Sequence, residues 1–362
     1  MNKKYIWLVV IIIVVVLIAV VVGKSSGPKT AGTNRPITIG AVISLTGPAA
    51  INGEDIKKGM DLAQKDLVVK GVTVNIAYED DQTNPKESVS AVQKILATDR
   101  PDVIVGPIWS FLLDAALPIT SQAKTVVYSP CSSSEYINTK TAYAFYGYIR
   151  NALKEIPATE WLKQMGAKNV AIVVSKDAWG DSNEKAFTAA VNDAGAQITI
   201  VERVPFGGEL DSAPTVITKI KASKTDAVLW TGYDDGAAVF IKKMHELKIN
   251  VPVLATDAFK SVTAKGTVSL VPGDKVFVFD TPKSSDFADK FKKAYGIAPG
   301  ECADTAYDGL MILADAVQKA GPNDLADYLR NNVNYSGYAH QYDFDQNGDT
   351  TAGTWVVRKL GN

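Results

Sequence analysis

Two cysteines, Cys131 and Cys302, and two histidines, His245 and His340, are the only thiol and imidazole metal ligands in the 362-residue chain. No Cys-x-x-Cys pair and no Cys/His zinc spacing is present, which excludes a structural zinc site. The chain also lacks Gly-x-Ser-x-Gly, a P-loop, Gly-x-Gly-x-x-Gly and His-Glu-x-x-His, so the common nucleophile, phosphate and metalloprotease signatures are missing. An enzyme would have to work with isolated carboxylates such as Asp80 and Asp257 as general acid or base, and no acid–base–nucleophile set accompanies them. No metal and no cofactor is expected. A basic stripe with interleaved aromatics is absent as well. Five of the 38 basic residues and none of the 39 acidic ones fall within residues 1–35, which leaves the rest of the chain at a net charge of −6. A mildly acidic body excludes nucleic acid as a partner, because phosphate binding needs clustered Lys and Arg.

What the chain does have begins with an apolar run. Met1–Lys4 is short and basic, and Tyr5–Val22 is then apolar or aromatic throughout. At a rise of about 1.5 Å per residue, this run spans a hydrocarbon core of roughly 30 Å. A cleaved signal peptide is the competing reading, with an apolar stretch of roughly 7–15 residues and small residues at the cleavage site. Val20-Val21-Val22 before Gly23 makes a poor site, and no cysteine lies at the end of the run to take a lipid. These features favour an uncleaved transmembrane anchor over residues 1–22. Lys3 and Lys4 then hold the N-terminus in the cytoplasm and the body outside. Residues 23–35, rich in Gly, Ser, Thr and Pro, read as a flexible linker.

From Ile37 onward the chain alternates short β-branched runs with amphipathic stretches. The first series has strands at Ile37–Ile43, Val72–Glu79, Val103–Val105 and Val126–Tyr128, with helices near 51–69, 86–98 and 111–123. Ile56, Met60, Ala63 and Leu67 fall on one helical face. A second series has strands near 170–174, 198–204, 227–231, 252–255 and 275–280, with helices near 153–165, 182–193, 212–222 and 235–247. Such alternation implies parallel sheets covered on both faces, and two series imply two α/β lobes. Helices near 284–295, 303–319 and 322–331 follow, then a hairpin pairing Tyr338–Phe344 with Gly353–Leu360 across Asn347-Gly348. The Asp343–Asp349 segment resembles the start of an EF-hand loop, but the twelfth position is Thr354 and the flanks read as strands, so a hairpin turn is expected.

In open parallel sheets, ligands bind beyond the carboxyl ends of the strands. In the first lobe those ends carry Ser44–Pro48 with Asn52-Gly53, Asp80–Pro85, Gly106–Ser110 and Ser129–Ser134. In the second they carry Asp177–Gly180, Gly232–Asp235 and Thr256–Phe259. Hydroxyls and helix N-termini in the first lobe suit a carboxylate. Aromatics and an acid in the second suit an ammonium and an apolar body. Together they suit a zwitterion. Singly, Ser or Asp after a strand is more often the cap of the next helix, and Trp179 and Tyr233 can equally pack at a lobe edge.

Ile37–Gly40 running into Leu45-Thr46-Gly47-Pro48 and Asn52-Gly53 resembles the opening of the leucine/isoleucine/valine-binding proteins, the type I periplasmic-binding-protein fold that serves ABC transporters. The likeness continues through Val103–Pro107, Tyr128-Ser129-Pro130, Asp177–Gly180 and Ala306–Gly309, and covers residues 36–362. It implies two doubly wound parallel-sheet lobes joined by three crossings near 150, 281 and 340, with 36–150 plus 281–339 in lobe 1 and 151–280 plus 340–362 in lobe 2. It also implies an ABC permease as partner and an amino acid or close analogue as ligand. The ligand carboxylate would meet Ser110 and Ser133, with Cys131 supplying backbone. The ammonium would meet Asp257 beside Tyr233, Trp179 would close over the ligand, and Asn52 would face its side chain. Ser110 is followed by Phe111-Leu112-Leu113 rather than small hydroxyl residues, and Asp257 stands where Glu is common, so a branched-chain ligand follows less firmly than an amino-acid-like one. A ligand-sensing ectodomain has the same fold, and an amide or urea solute fits it too; with only about four residues before the anchor, transport is the expectation. Outside the cytoplasm, Cys131 and Cys302 suit either a disulfide or two buried thiols.

Overall fold

The computed structural model describes residues 35–138, 140–204, 209–232, 234–259 and 274–360. The expected anchor, nearly all of the expected linker and Tyr233 lie outside these residues. Among the described residues no helix is long and apolar enough to cross a membrane.

The first sheet has the strand order β2-β1-β3-β4-β5. Its strands are β1 (Ile37–Ile43), β2 (Val74–Asp80), β3 (Val103–Val105), β4 (Val127–Ser129) and β5 (Ala144–Tyr146), all parallel. β1 (ITIGAVI) is buried on both faces, as a central parallel strand with few polar side chains must be. Its odd positions, Ile37, Ile39, Ala41 and Ile43, pack with Ile56, Met60 and Ala63 of α1 (Ala50–Val69). Val42, with Ile104 and Val127, packs on the other face against α2 (Pro85–Thr98) and α3 (Ser110–Ala123). Asn84 starts α2 by accepting from the Lys86 and Glu87 amides, and Pro85 occupies the first turn. A short helix, α4 (Glu135–Asn138), precedes β5, which the sequence pattern had not suggested.

A 3-10 turn, Asn151–Lys154, and α5 (Glu155–Met165) lead into the second sheet. It comprises β6 (Asn169–Ser175), β7 (Gln197–Val204), β8 (Ala227–Trp230), β9 (Val253–Ala255) and β10 (Val276–Asp280), in parallel, and a last strand, β13 (Val356–Lys359). α6 (Ala178–Asp193) joins α5 on one face, and α7 (Glu209–Ala222) and α8 (Asp234–Glu246) cover the other. Three helices, α9 (Ser285–Tyr295), α10 (Ala303–Ala320) and α11 (Leu325–Asn332), then return to the first sheet, where α10 packs along α1. The two helices touch closely: a Cβ on Gly59 would lie 2.2 Å from the Ala303 carbonyl oxygen.

Of the expected C-terminal hairpin only a single antiparallel bridge, Phe344 with Thr350, forms across the turn, and the longer pairing does not. β12 (Gln341–Tyr342) pairs with β11 (Tyr335–Ser336), and β13 pairs antiparallel with β10 of the second sheet. Asn347-Gly348 does turn the chain, but the turn is stitched to the first sheet: the Tyr146 amide donates to the Gly348 carbonyl at 2.9 Å. Phe344 also packs edge-on against Phe145. The turn is thus bonded to the edge of the first sheet, where Tyr146 also bridges Asp349. The EF-hand-like stretch is a turn: the Asp345 carboxylate accepts from the Asn347 and Asp349 amides, so it faces backbone donors.

Candidate functional site

The site forms where the carboxyl ends of the two sheets meet the segments that cross between them. Gly106 ends β3 with φ +89°, and a Cβ there would lie 1.9 Å from the Val42 carbonyl oxygen. Only glycine permits that turn beside β1. The turn delivers Ser110 to the first residue of α3, buried, with its Oγ 2.9 Å from Ser132 Oγ. Ser132 follows β4, and its amide donates to Ser129 Oγ, which in turn donates to the Pro107 carbonyl at 2.7 Å. The loops after β3 and β4 are therefore tied into one hydroxyl-bearing ledge.

From that ledge a chain of hydrogen bonds runs into the second unit. Ser133 Oγ donates to Asn151 Oδ1 at 3.0 Å. Lys154 Nζ donates to the same Asn151 Oδ1 at 2.9 Å, to Asn183 Oδ1 at 3.2 Å and to Asp257 Oδ1 at 3.2 Å. Lys154 is 0 % exposed, and three acceptors match the three protons of its ammonium. Burial pushes its pKa below the ordinary lysine value, and the Asp257 carboxylate works against that shift. The Lys154 ammonium also lies 4.3 Å from the ring centre of Trp355, 5.6 Å from that of Phe279 and 5.7 Å from that of Trp179. Asp257 accepts at Oδ2 from the Tyr148 hydroxyl at 3.1 Å, and that hydroxyl also meets Glu301 Oε1. Glu301 and Asp304 share Lys283, at 3.6 and 3.2 Å.

The two units touch directly beside this chain. Ser134 Oγ donates to the Ala178 carbonyl at 2.7 Å, and Ser182 Oγ bonds Glu135. At the ends of β8 and β9, Thr231 and Thr256 are neighbours, since Trp230 pairs with Ala255. Their hydroxyls and the Trp230 indole N–H are buried and have no hydrogen-bond partner among the described residues.

Of the residues singled out in the sequence, Ser133, Trp179 and Asp257 belong to this cluster, and Ser110 is tied to its ledge through Ser132. Trp179 sits in the first turn of α6, not in a loop, because Asp177 caps that helix by accepting from the Gly180 amide. Cys131 bonds Cys302 in a disulfide with Cα atoms 5.7 Å apart. Asn52 is buried in the first turn of α1 at the end of β1, apart from the hydrogen-bond chain. Asp80 and Asp81 serve the turns around them. Asp80 accepts from the Leu45, Thr46 and Gln82 amides, and Asp81 from Ser44 Oγ and the Thr83 amide. Neither histidine joins the hydrogen-bond chain: His245 pairs with Asp274 at 2.7 Å, and the His340 ring lies tilted against Tyr342, within electrostatic reach of Asp304 and Lys283. Lys154, Asn151, Tyr148, Glu301 and Asn183 escaped the sequence reading. One signal for Lys154 was available: it shares a helical face with Ala158, Trp161 and Leu162, at spacings of four, seven and eight, all buried. A lysine on the apolar face needs a partner.

Two lobes of parallel α/β structure with polar groups gathered between them define a two-domain binding fold. Residues 36–361 match the family model described as periplasmic binding protein, and the chain belongs to that family. A Leu/Ile/Val-binding protein of Rhizobium johnstonii, BraC3, is 25% identical over 340 residues, 89% of this chain and 91% of its own length. Leu/Ile/Val-binding protein homolog 3 of Brucella melitensis is 26% identical over 305 residues, 80% of each chain. Among solved structures, the branched-chain amino acid transporter substrate binding protein LivJ of Streptococcus pneumoniae, with isoleucine, superposes with a TM-score of 0.77 at 19% identity, covering 90% of this chain and all of the other. A solute binding protein of an ABC transporter from Rhodopseudomonas palustris, with 3,4-dihydroxy benzoic acid, gives 0.77 at 21% identity, covering 90% and 93%. These likenesses establish the fold.

Proposed function

We propose that the chain is the extracytoplasmic solute-binding component of an ABC transporter, held to the membrane by its Tyr5–Val22 segment. It captures a small carboxylate-bearing solute, an amino acid or a close analogue, by closing two lobes on it, and the closed form engages a permease. The observation that carries this reading is the convergence on one cluster of Ser133 from the first unit and Asp257 from the second, through Asn151 and Lys154. Such a cluster at the carboxyl ends of two parallel sheets is where the fold places ligands, and contact from both lobes makes binding and closure one equilibrium. The curated relatives bear names of branched-chain amino acid binders, and the two structural neighbours hold an amino acid in one case and an aromatic acid in the other. The Ser110, Ser132 and Ser133 hydroxyls would supply donors to a solute carboxylate by exchanging their present bonds to one another and to Asn151.

Thermal shift on the full chain in mild detergent tests the reading with a panel of amino acids, amides and organic acids. A solute at 100 times its dissociation constant stabilises by about 2.7 kcal/mol. For a solute so found, Ser110→Ala and Ser133→Ala each weaken binding about tenfold, the worth of one hydrogen bond to a charged group. The absence of any shift across the panel would refute the proposal.

A further inference from the structure

An α-amino acid brings a cation that must find an acid, and the acid expected to receive it is Asp257. In this chain Asp257 is already engaged: Oδ1 pairs with the Lys154 ammonium, and Oδ2 shares the single Tyr148 hydroxyl proton with Glu301. Lys154 is held in turn by Asn151 and Asn183 and is surrounded by the rings of Trp179, Phe279 and Trp355. The two acids beyond Tyr148, Glu301 and Asp304, have Lys283 between them. A second ammonium brought to Asp257 would therefore meet a buried like charge and would have to displace Lys154 from Oδ1, leaving that ammonium short of its third acceptor. A buried ion pair is a poor means of stabilising a fold, since apolar groups of the same volume serve as well or better. Its place among residues of both lobes, at the carboxyl ends of the strands, points to recognition instead. Close by, the buried Thr231 and Thr256 hydroxyls offer uncharged partners without a bond of their own.

We infer that Lys154 supplies from within the chain the cation that an amino acid would bring, so that the solute is an organic carboxylate without an α-ammonium group: a 2-oxo, 2-hydroxy or aromatic acid. This rests on the solute-binding reading above and narrows its ligand.

Calorimetry on the full chain in mild detergent tests it with matched probes: leucine against 4-methyl-2-oxopentanoate, phenylalanine against 3-phenyllactate, and 3,4-dihydroxybenzoate alone. At least one acid without an amino group should bind about 100-fold or more tighter than either amino acid, as expected when the wrong ligand brings a charge that the site cannot pair. An amino acid that binds as tightly as its matched acid overturns the inference and leaves the solute-binding reading standing. No binding by any of the five overturns the inference, and the extended panel above then decides the wider reading. Lys154→Met uncovers Asp257 and should move the ratio of the two dissociation constants at least tenfold towards the amino acid. An unchanged ratio in a variant that still melts cooperatively also overturns the inference. If that variant does not fold, the matched pairs on the unaltered chain decide alone.

Discussion

Removing the Cys131–Cys302 disulfide should destabilise the first unit by about 4–5 kcal/mol. The bridge joins the loop after β4 to the residue that opens α10, at a sequence separation of 171. Both cysteines belong to the first unit, yet the chain between them runs through the whole second sheet except its last strand. If the entire chain unfolds, the closed loop has its full length, and the loss of loop-closure entropy is worth about 5 kcal/mol at 25 °C. If the second unit stays folded while the first opens, the flexible part shrinks to roughly 40 residues and the term to about 4 kcal/mol. The two cases differ little because closure entropy grows only logarithmically with length. For a chain of this size the loss lowers Tm by roughly 6–10 °C, depending on how much unfolds together. Both sulfurs are buried, so a reductant reaches them slowly, and the double variant Cys131→Ala/Cys302→Ala is the clean perturbation. Urea unfolding followed by tryptophan fluorescence, compared with the oxidised protein, gives the difference directly. A shift below about 1 kcal/mol would refute the reasoning, because it would mean that the bridge does not restrict the unfolded chain.

The Tyr128 ring is clamped between two glycines: a Cβ on Gly309 would lie 2.1 Å from its Cε1 and one on Gly147 would lie 1.9 Å from its hydroxyl. Gly309→Ala should cost about 2–3 kcal/mol in urea melts by forcing α10 off β4, whereas Gly166→Ala, whose Cβ meets open space, should cost only the roughly 1–2 kcal/mol of its left-handed backbone. His340 should make stability depend on pH. Burial lowers its pKa from 6.5 to about 4, so the folded state binds its proton less readily than the unfolded chain. Its contribution is thus fully present above about pH 6.5 and is lost as pH falls towards 4, up to about 3 kcal/mol in all. Nearby Asp308 opposes it: burial raises that carboxyl to about 7, which favours the folded state in acid and is lost as pH rises through 4 to 7. The difference between His340→Leu and the unaltered chain isolates the histidine, and identical pH profiles for the two would contradict its buried, neutral state.

The repeating layers of the fold were legible because both sheets obey the simplest rule. Strands such as Ile37–Ile43 and Val170–Val174 are buried on both faces, so they read as unbroken β-branched runs whatever surrounds them. β5 was missed because Ala144–Tyr146 has no such run; it is a strand only because Val127–Ser129 lies beside it. The terminal hairpin failed for the opposite reason. Asn347-Gly348 is a true turn signal, but a turn fixes the local direction and not the pairing partner, and β13 finds a better edge on β10. At the candidate site, positions after strands were legible as loop residues where local sequence carries the loop, as at Ser110, Ser133 and Asp257. Lys154 and Asn183 lie within helical stretches, where a polar residue ordinarily faces water, and Tyr148 lies in the first crossing; their partners come from elsewhere in the chain. No local pattern encodes such a meeting.

The location of Lys154 bears on how firmly the site can hold a charge. Long charged side chains that recognise solutes from mobile loops lose much conformational entropy on binding. Lys154 loses little, because the segments that pass between the two units already fix it. Trp355, on the last crossing, donates its indole N–H to the Arg150 carbonyl of the first crossing at 3.0 Å and packs edge-on against Tyr148. The same ring faces the Lys154 ammonium, and Phe279, from β10 at the second crossing, packs edge-on against Trp355. Three crossing segments thus build one aromatic cage around the cation, and the Asn151 side chain on the same 3-10 turn completes its hydrogen bonds. In the proposed closure, one lobe would rotate against the other about these segments. A charge placed on such a hinge would move least during the proposed closure, so it would keep one geometry while the serine ledge and Trp179 approach the proposed solute from either side.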